Sequence, residues 1–324
     1  MAAGGGHGTK AVVAALIANA GIAVAKFVGF IITGSTSMLA ESVHSVADSG
    51  NQGLLLLGGK RARRKADEEH PFGYGRERYF WAFVVALVLF SLGGAFAIFE
   101  GVEKIRHPHQ VESAAVAIGI LVFAVVLETY SFRTAIGEAN KVRGDATWWQ
   151  FIRHSKNPEL PVVLLEDLGA EVGLLIALGA VSTTLITGDP IYDGIGTLSI
   201  GILLTVIAVV LAIEMKSLLL GETADPKVQG AIRAGIEAEP AVQRLIHLRT
   251  QHLGPDELLI GAKVAFVDGL SVSELASAVN RVEATVRAAV PEARVMYIEP
   301  DVAGTAVPSD PLTPSLARGH EDGG

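Results

Sequence analysis

The chain contains no cysteine. Disulfides and thiolate metal sites are thereby excluded, which leaves His, Asp and Glu as its strong metal ligands. Charge is sparse as well: Asp, Glu, Lys and Arg make up 19% of the 324 residues, against 50% apolar types. With a mean hydropathy of +0.43, the composition is too apolar for an ordinary soluble domain and fits a membrane protein with a soluble appendage. No Gly-rich phosphate loop follows a predicted strand, so ATP-driven pumping has no support. A removable leader is not expected, because the first ten residues are Gly-rich with Lys10 and the apolar run behind them is too long for a signal-peptide core.

Six apolar runs do stand out, each near or above the roughly 20 residues that a spanning helix needs. They cover about residues 11–33, 36–59, 79–105, 111–136, 160–187 and 191–220. Thr33-Gly34-Ser35 separates the first two runs, and Gly188-Asp189-Pro190 is a tight turn between the last two. Basic residues orient the bundle. Lys60, Arg61, Arg63, Arg64 and Lys65 follow the second run, and Arg133, Lys141, Arg143, Arg153 and Lys156 lie around the fourth connection. The opposite connections carry little beyond Lys104 and Arg106, so the positive-inside rule assigns the basic loops and both termini to the cytoplasm. A multi-pass protein of the cell membrane is expected.

The second run carries His44 and Asp48 near its middle. Four residues apart on a helix, their side chains stack on one face. An ionised carboxylate at the centre of a spanning helix costs roughly 2.5–3.5 kcal/mol on insertion scales, so it faces a partner, a cavity or an ion. A neutral imidazole and a carboxylate together make a ligand pair for a divalent transition metal. The blander reading of Asp48 is a buried acid satisfied by a hydroxyl or amide of a neighbouring helix.

The fifth run places Glu166, Asp167 and Glu171 in an apolar helix without Lys or Arg. Asp167 and Glu171 share a face at four-residue spacing. A bound cation is the simplest compensation for so many buried acids, and protonation is the next. At about 1.5 Å per residue Asp48 and Glu171 lie at equal depth, with Asp167 one turn away. A site between the second and fifth helices, built from His44, Asp48, Asp167 and Glu171, is the expectation.

Beyond residue 220 the composition turns soluble. Residues 226–238 read as an amphipathic helix, 243–251 and 257–267 as strands, 271–290 as a helix opened by the capping pair Ser271 and Glu274, and 294–299 as a last strand. This order suggests a small α+β domain. The expected organisation is a cytoplasmic tail over 1–10, a six-helix transmembrane domain over 11–220, a cytoplasmic domain over 221–301 and a disordered tail over 302–324.

The stretch Gly34-Ser35-Thr36-Ser37-Met38-Leu39-Ala40-Glu41-Ser42-Val43-His44-Ser45-Val46-Ala47-Asp48 resembles the second-helix signature of the cation diffusion facilitator family. His70 to Arg76 resembles that family's loop before the third helix, Leu220-Gly221-Glu222 with Asp225-Pro226 its junction to the cytoplasmic domain, and Leu248-Arg249-Thr250 a strand within that domain. The resemblance implies a homodimer of six-helix protomers with ferredoxin-like cytoplasmic domains. It also implies export of Zn²⁺, or of Mn²⁺ or Fe²⁺, from the cytoplasm in exchange for protons, with no enzymatic activity and no resident cofactor.

One departure from the pattern matters. The family takes two ligands, four apart, from each of the second and fifth helices. His44, Asp48 and Asp167 match, but Val163 stands at the remaining position and cannot ligate. Glu171, Glu166, Asn19 and water are the candidate replacements. The sequence Leu164-Leu165-Glu166-Asp167 resembles the branch that includes the animal mitochondrial zinc transporter. Replacing an imidazole by oxygen hardens the site and makes Mn²⁺ more acceptable. Val163 also favours a rival reading, a non-transporting sensor or assembly scaffold on the same fold.

Other candidates are weaker. Asp67 and His70 fit part of a loop metal site found in some family members, but Tyr74 replaces its last His, leaving a tetrahedral site incomplete. His247 and His252 read as sheet-packed or solvated, and His107 and His109 as outer-turn residues. Glu128 and Glu214 are either proton-path or packing groups. Trp148 and Trp149 read as an anchor at the lipid interface rather than as nucleic-acid stackers, and nucleic acid is not an expected partner.

Overall fold

The computed structural model describes residues 4–33, 36–108 and 114–302; the side chains of His44 and several neighbours early in the second helix lie outside that description, as do His109 and the tail after Val302. Two compact units emerge. The first comprises Met1–Glu222 with His252–Glu257, the second Thr223–Gln251 with Leu258–Gly324.

Up to Glu222, the described residues of the first unit are mostly helical. α1 is Gly4–Thr33 and α2 is Thr36–Arg61. α3 runs from Glu77 to Arg106 and contains a π-helical stretch, Leu89–Ala95. α4 is Ala114–Arg143, α5 the short Trp148–His154, α6 Glu159–Thr187 and α7 Ile191–Leu220. α1 thus begins inside the stretch expected to be a tail. Among the described residues, four helices are long and apolar enough to cross a membrane: Gly8–Ile32, Glu77–Arg106, Ala115–Arg143 and Ile191–Leu220. The expectation of six spans is met for these four. α2 and α6 are of similar length, 26 and 29 residues, and hold the carboxylates described below.

Helices suit this setting because every backbone polar group between their ends is satisfied internally. The outward faces carry Ile17, Val24, Ile31, Ile32, Phe99 and Ile186, all exposed, where lipid rather than water is the natural solvent. α1 packs on α2, α4 and α6; α6 packs on α4 and α7; α3 packs on α2 and α7. The core between them includes Val12, Ala15, Leu55, Tyr79, Val85, Leu160, Val163 and Leu211.

α3 and α7 approach through glycine. A Cβ on Gly101 would fall 2.4 Å from the backbone nitrogen of Leu198, one on Gly201 2.6 Å from that of Ile98, and one on Gly194 2.9 Å from that of Ile105. Small residues at such crossings let two backbones come close enough for dispersion contacts to hold them without any hydrophobic drive. The link between α6 and α7 is the turn expected from sequence: Gly188 takes φ +74°, a left-handed cap that suits glycine, and Asp189 Oδ1 accepts from the Ile191 amide at 3.0 Å.

From Thr223 on, the chain has the order α8 (Pro226–Glu237), β1 (Val242–Gly254), β2 (Glu257–Phe266), α9 (Val272–Ala289), β3 (Val295–Val302). The sheet order is β1-β2-β3. A two-residue turn joins β1 to β2, and β2 pairs parallel with β3, from Leu259↔Val295 to Phe266↔Val302. Parallel neighbours need a crossover, which α9 supplies. Alternate residues of β2, Leu258, Ile260, Ala262 and Val264, point into a core with Ile232 and Ile236 of α8 and Val282 and Val286 of α9. The Ser271–Glu274 capping box is present.

Candidate functional site

α2 carries a buried polar stripe. Ser42, Ser45, Asn51 and Gln52 are buried and Asp48 is half-buried. Their spacing of three, four and seven puts Ser45, Asp48 and Gln52 on a common face. α6 presents Glu166 and Asp167, both buried, with Glu171 one turn on. α4 adds Glu128 and Ser131, buried three residues apart, and Thr129.

Hydrogen bonds sort these groups. Asn51 Nδ2 donates to Glu166 Oε1 at 3.0 Å and Gln52 Nε2 to Glu166 Oε2 at 2.9 Å. Asn19 of α1 donates to Gln52 Oε1 at 3.2 Å. From α4, Ser131 Oγ donates to Asp167 Oδ2 at 2.8 Å and Thr129 Oγ1 to Glu171 Oε1 at 2.9 Å. The second oxygens of Asp167 and Glu171, Oδ1 and Oε2, are buried with no hydrogen-bond partner among the described residues. Glu128 stands within electrostatic range of Asp48, Glu166, Asp167 and Glu171, and Glu166 within range of Asp48. Carboxylates of three helices therefore share one apolar interior.

Of the sequence-predicted set, Asp48, Asp167 and Glu171 belong to this cluster, while the side chain of His44 lies outside the described residues. Among the described residues no three His, Asp or Glu side chains converge closely enough to hold a metal ion. Val163 is fully buried in the apolar core. Of its candidate replacements, Asn19 donates to Gln52, Glu166 is bonded by two amides, and Glu171 keeps one oxygen without a hydrogen-bond partner among the described residues. The sequence reading missed Ser131, Thr129, Asn51 and Gln52. The last two were legible as polar residues three and four places after Asp48; the first two carry no signal of their own, since Ser and Thr occur on any face of a membrane helix.

The loop before α3 is closed by hydrogen bonds. Tyr74 Oη donates to Asp67 Oδ2 at 2.7 Å and the His70 amide to Asp67 Oδ1 at 2.8 Å. These bonds, the phenol first, hold the Asp67 carboxyl below its ordinary value. The His70 ring lies 4.4 Å from that of Tyr74, and Arg64 sits 4.2 Å over the same ring. Elsewhere, Glu214 pairs with Arg153 at 2.9 Å, which makes it an ion-pair group. His107 lies 3.7 Å from Glu103. His252 is buried, and His247 lines a shallow cavity with Arg249, Gly261 and Tyr297. Trp148 and Trp149 are exposed beside Arg143 and Arg153.

A family profile described as the cation efflux transmembrane domain matches residues 12–220. The chain belongs to the cation efflux family. It is 32% identical over 267 residues to the proton-coupled zinc antiporter SLC30A9, mitochondrial, of Mus musculus, covering 82% of this chain and 47% of the relative. It is 32% identical over 265 residues to metal tolerance protein C4 of Arabidopsis thaliana, covering 80% and 57%. Magnetosome protein MamB of Magnetospirillum gryphiswaldense is 23% identical over 281 residues, covering 86% and 89%. The chain spans about half the length of the curated animal relatives it matches. These matches fit the branch that the Leu164–Asp167 sequence suggested, and they establish a multi-pass membrane protein of a transporter family rather than an enzyme.

Proposed function

We propose that this cation efflux protein is a proton-coupled antiporter that exports a divalent transition metal from the cytoplasm, Zn²⁺ first, with Mn²⁺ and Fe²⁺ as the other candidates. The metal passes through a site between α2 and α6 formed by His44, Asp48, Asp167 and Glu171. The observation that carries this reading is that carboxylates from α2, α4 and α6 lie within electrostatic range of one another in one apolar interior, with Asp167 and Glu171 each keeping an oxygen that has no hydrogen-bond partner among the described residues. Leaving such groups charged and uncompensated costs several kcal/mol on insertion scales, and a divalent cation offsets that cost. The animal relatives, named as proton-coupled zinc antiporters, agree with this reading.

The mechanism follows from shared ligands. Metal binds deprotonated carboxylates and neutral imidazole, so binding releases protons. When the helices rearrange to open the site outward, protons compete for the same oxygens and displace the ion. Exchange then needs no separate coupling device. Glu128 adds a further carboxyl group beside an oxygen-rich set where Val163 withholds a ligand, and such a set suits harder ions better than an imidazole-rich one does. The proposed assembly is a homodimer in the cell membrane. Each protomer has six spans, a ferredoxin-like cytoplasmic domain over 221–301, and both termini on the basic, cytoplasmic side.

The test is metal-dependent proton flux in proteoliposomes loaded with a pH-sensitive dye, comparing Zn²⁺, Mn²⁺ and Fe²⁺. Flux with one metal, abolished by Asp48→Ala and by Asp167→Ala, is the expected result. Full flux in both variants overturns the site. No flux with any metal, from folded wild-type protein, returns the scaffold reading.

A further inference from the structure

Two classes of carboxylate share α6. Asp167 and Glu171 each present an oxygen without a hydrogen-bond partner among the described residues. Glu166, buried beside them, has both oxygens engaged: Oε1 by Asn51 and Oε2 by Gln52. Gln52 in turn accepts from Asn19, so one chain of amides ties α1, α2 and α6 together. All four side chains are buried, Gln52 completely. In so dry an interior hydrogen bonds to a carboxylate are among the strongest available to side chains.

The clamp has a particular place in the fold. Asn51 and Gln52 lie three and four residues after Asp48, one turn along the same helix, and Glu166 immediately precedes Asp167. Fixing Glu166 to that turn therefore fixes the rotation and separation of the two helices where Asp48 and Asp167 project. We infer that Glu166 is a positioning residue rather than a metal ligand, holding α2 against α6 through the Asn19–Gln52–Glu166–Asn51 network so that Asp48 and Asp167 are presented to the same ion. This inference rests on the transport reading above.

The network permits a test by exchange. Gln52→Glu alone sets two carboxylates facing each other, and Glu166→Gln alone removes the charge that strengthens both bonds and keeps both contacts only if the Asn51 amide flips to turn its Oδ1 toward the new N–H₂. The double variant Gln52→Glu/Glu166→Gln satisfies every bond with donor and acceptor reversed between the two positions, while Asn19 and Asn51 still donate. The measurements are the Zn²⁺ and Mn²⁺ concentrations for half-maximal flux in proteoliposomes, and the unfolding temperature of the purified full chain in detergent. Each single variant is expected to raise the half-saturating metal concentration by about tenfold or more, the scale of one lost charge-assisted hydrogen bond. Maximal flux per folded molecule changes less than half-saturation does. The double variant recovers most of both the half-saturating concentration and the unfolding temperature.

If wild-type protein transports metal and the double variant stays as impaired as Glu166→Gln, the carboxylate is needed at position 166 itself and the inference fails. It fails equally if Glu166→Gln leaves half-saturation unchanged. Should the single variants not fold, recovery of folding by the double variant supports the clamp and persistent misfolding overturns it. Failure of the transport reading is a separate result, wild-type protein that folds and carries no metal, and the unfolding temperatures then decide the clamp by themselves.

Discussion

Ser131 of α4 donates to Oδ2 of Asp167 on α6 at 2.8 Å, and Oδ1 of the same carboxylate has no hydrogen-bond partner among the described residues. The hydroxyl fixes the plane of the carboxylate while leaving one oxygen available. A hydrogen bond to a charged group contributes about 1.5–3 kcal/mol. Ser131→Ala is accordingly expected to weaken metal transport by about tenfold or more, read as a rise in half-saturating metal concentration. Ser131→Thr keeps the donor and retains transport near the wild-type level. Equal transport by the alanine variant would remove Ser131 from the site.

Tyr74 and Asp67 set a pH dependence outside the membrane. The phenol's hydrogen bond is the main reason that the Asp67 carboxyl is lowered from its ordinary value. A lowered folded-state value means that the loop's stabilisation is fully present above the ordinary carboxylate value and is lost as pH falls through the lowered one. Tyr74→Phe should move Asp67 back up, so that the loop loosens at a higher pH than in the wild type. NMR titration of the Asp67 carboxyl carbon, with limited proteolysis of the loop between α2 and α3 across the acidic range, checks the direction.

Gly201 faces α3 where a Cβ would lie 2.6 Å from the Ile98 backbone nitrogen. Neither backbone can yield without separating the helices, so Gly201→Ala should cost about 1–3 kcal/mol by overpacking. A lowered unfolding temperature in detergent is the expected outcome. Gly119→Ala, where nothing lies within 4 Å of the added carbon, serves as the neutral comparison.

In the second unit Ile260 is completely buried between the sheet and its helices. Ile260→Ala should remove about 2–5 kcal/mol, through lost burial and the cavity left behind. Faster hydrogen exchange across β1, β2 and β3 in the full-length protein is the measurement, and unchanged exchange would contradict the packing described.

Local pattern alone determined much of this protein. Long apolar runs with glycine and proline between them dictate membrane helices, because backbone amides in lipid have no other partner. Period-two alternation in residues 257–266 and the Ser271–Glu274 cap dictate a strand followed by a helix, and both are present. Four-residue spacing put Asp167 and Glu171 on one face before any neighbour was known.

Tertiary structure alone decided which groups those faces meet. Nothing in residues 114–143 marks Ser131 and Thr129 as partners of Asp167 and Glu171. Nor does any local pattern engage Glu166 with two amides while its neighbour Asp167 keeps an oxygen without a partner among the described residues. The reason is physical. Periodicity specifies the angle of a side chain around its own helix axis, whereas the rotation of one helix against another is set by contacts between residues more than 30 positions apart in the chain, such as Asn19 with Gln52 and Asn51 with Glu166.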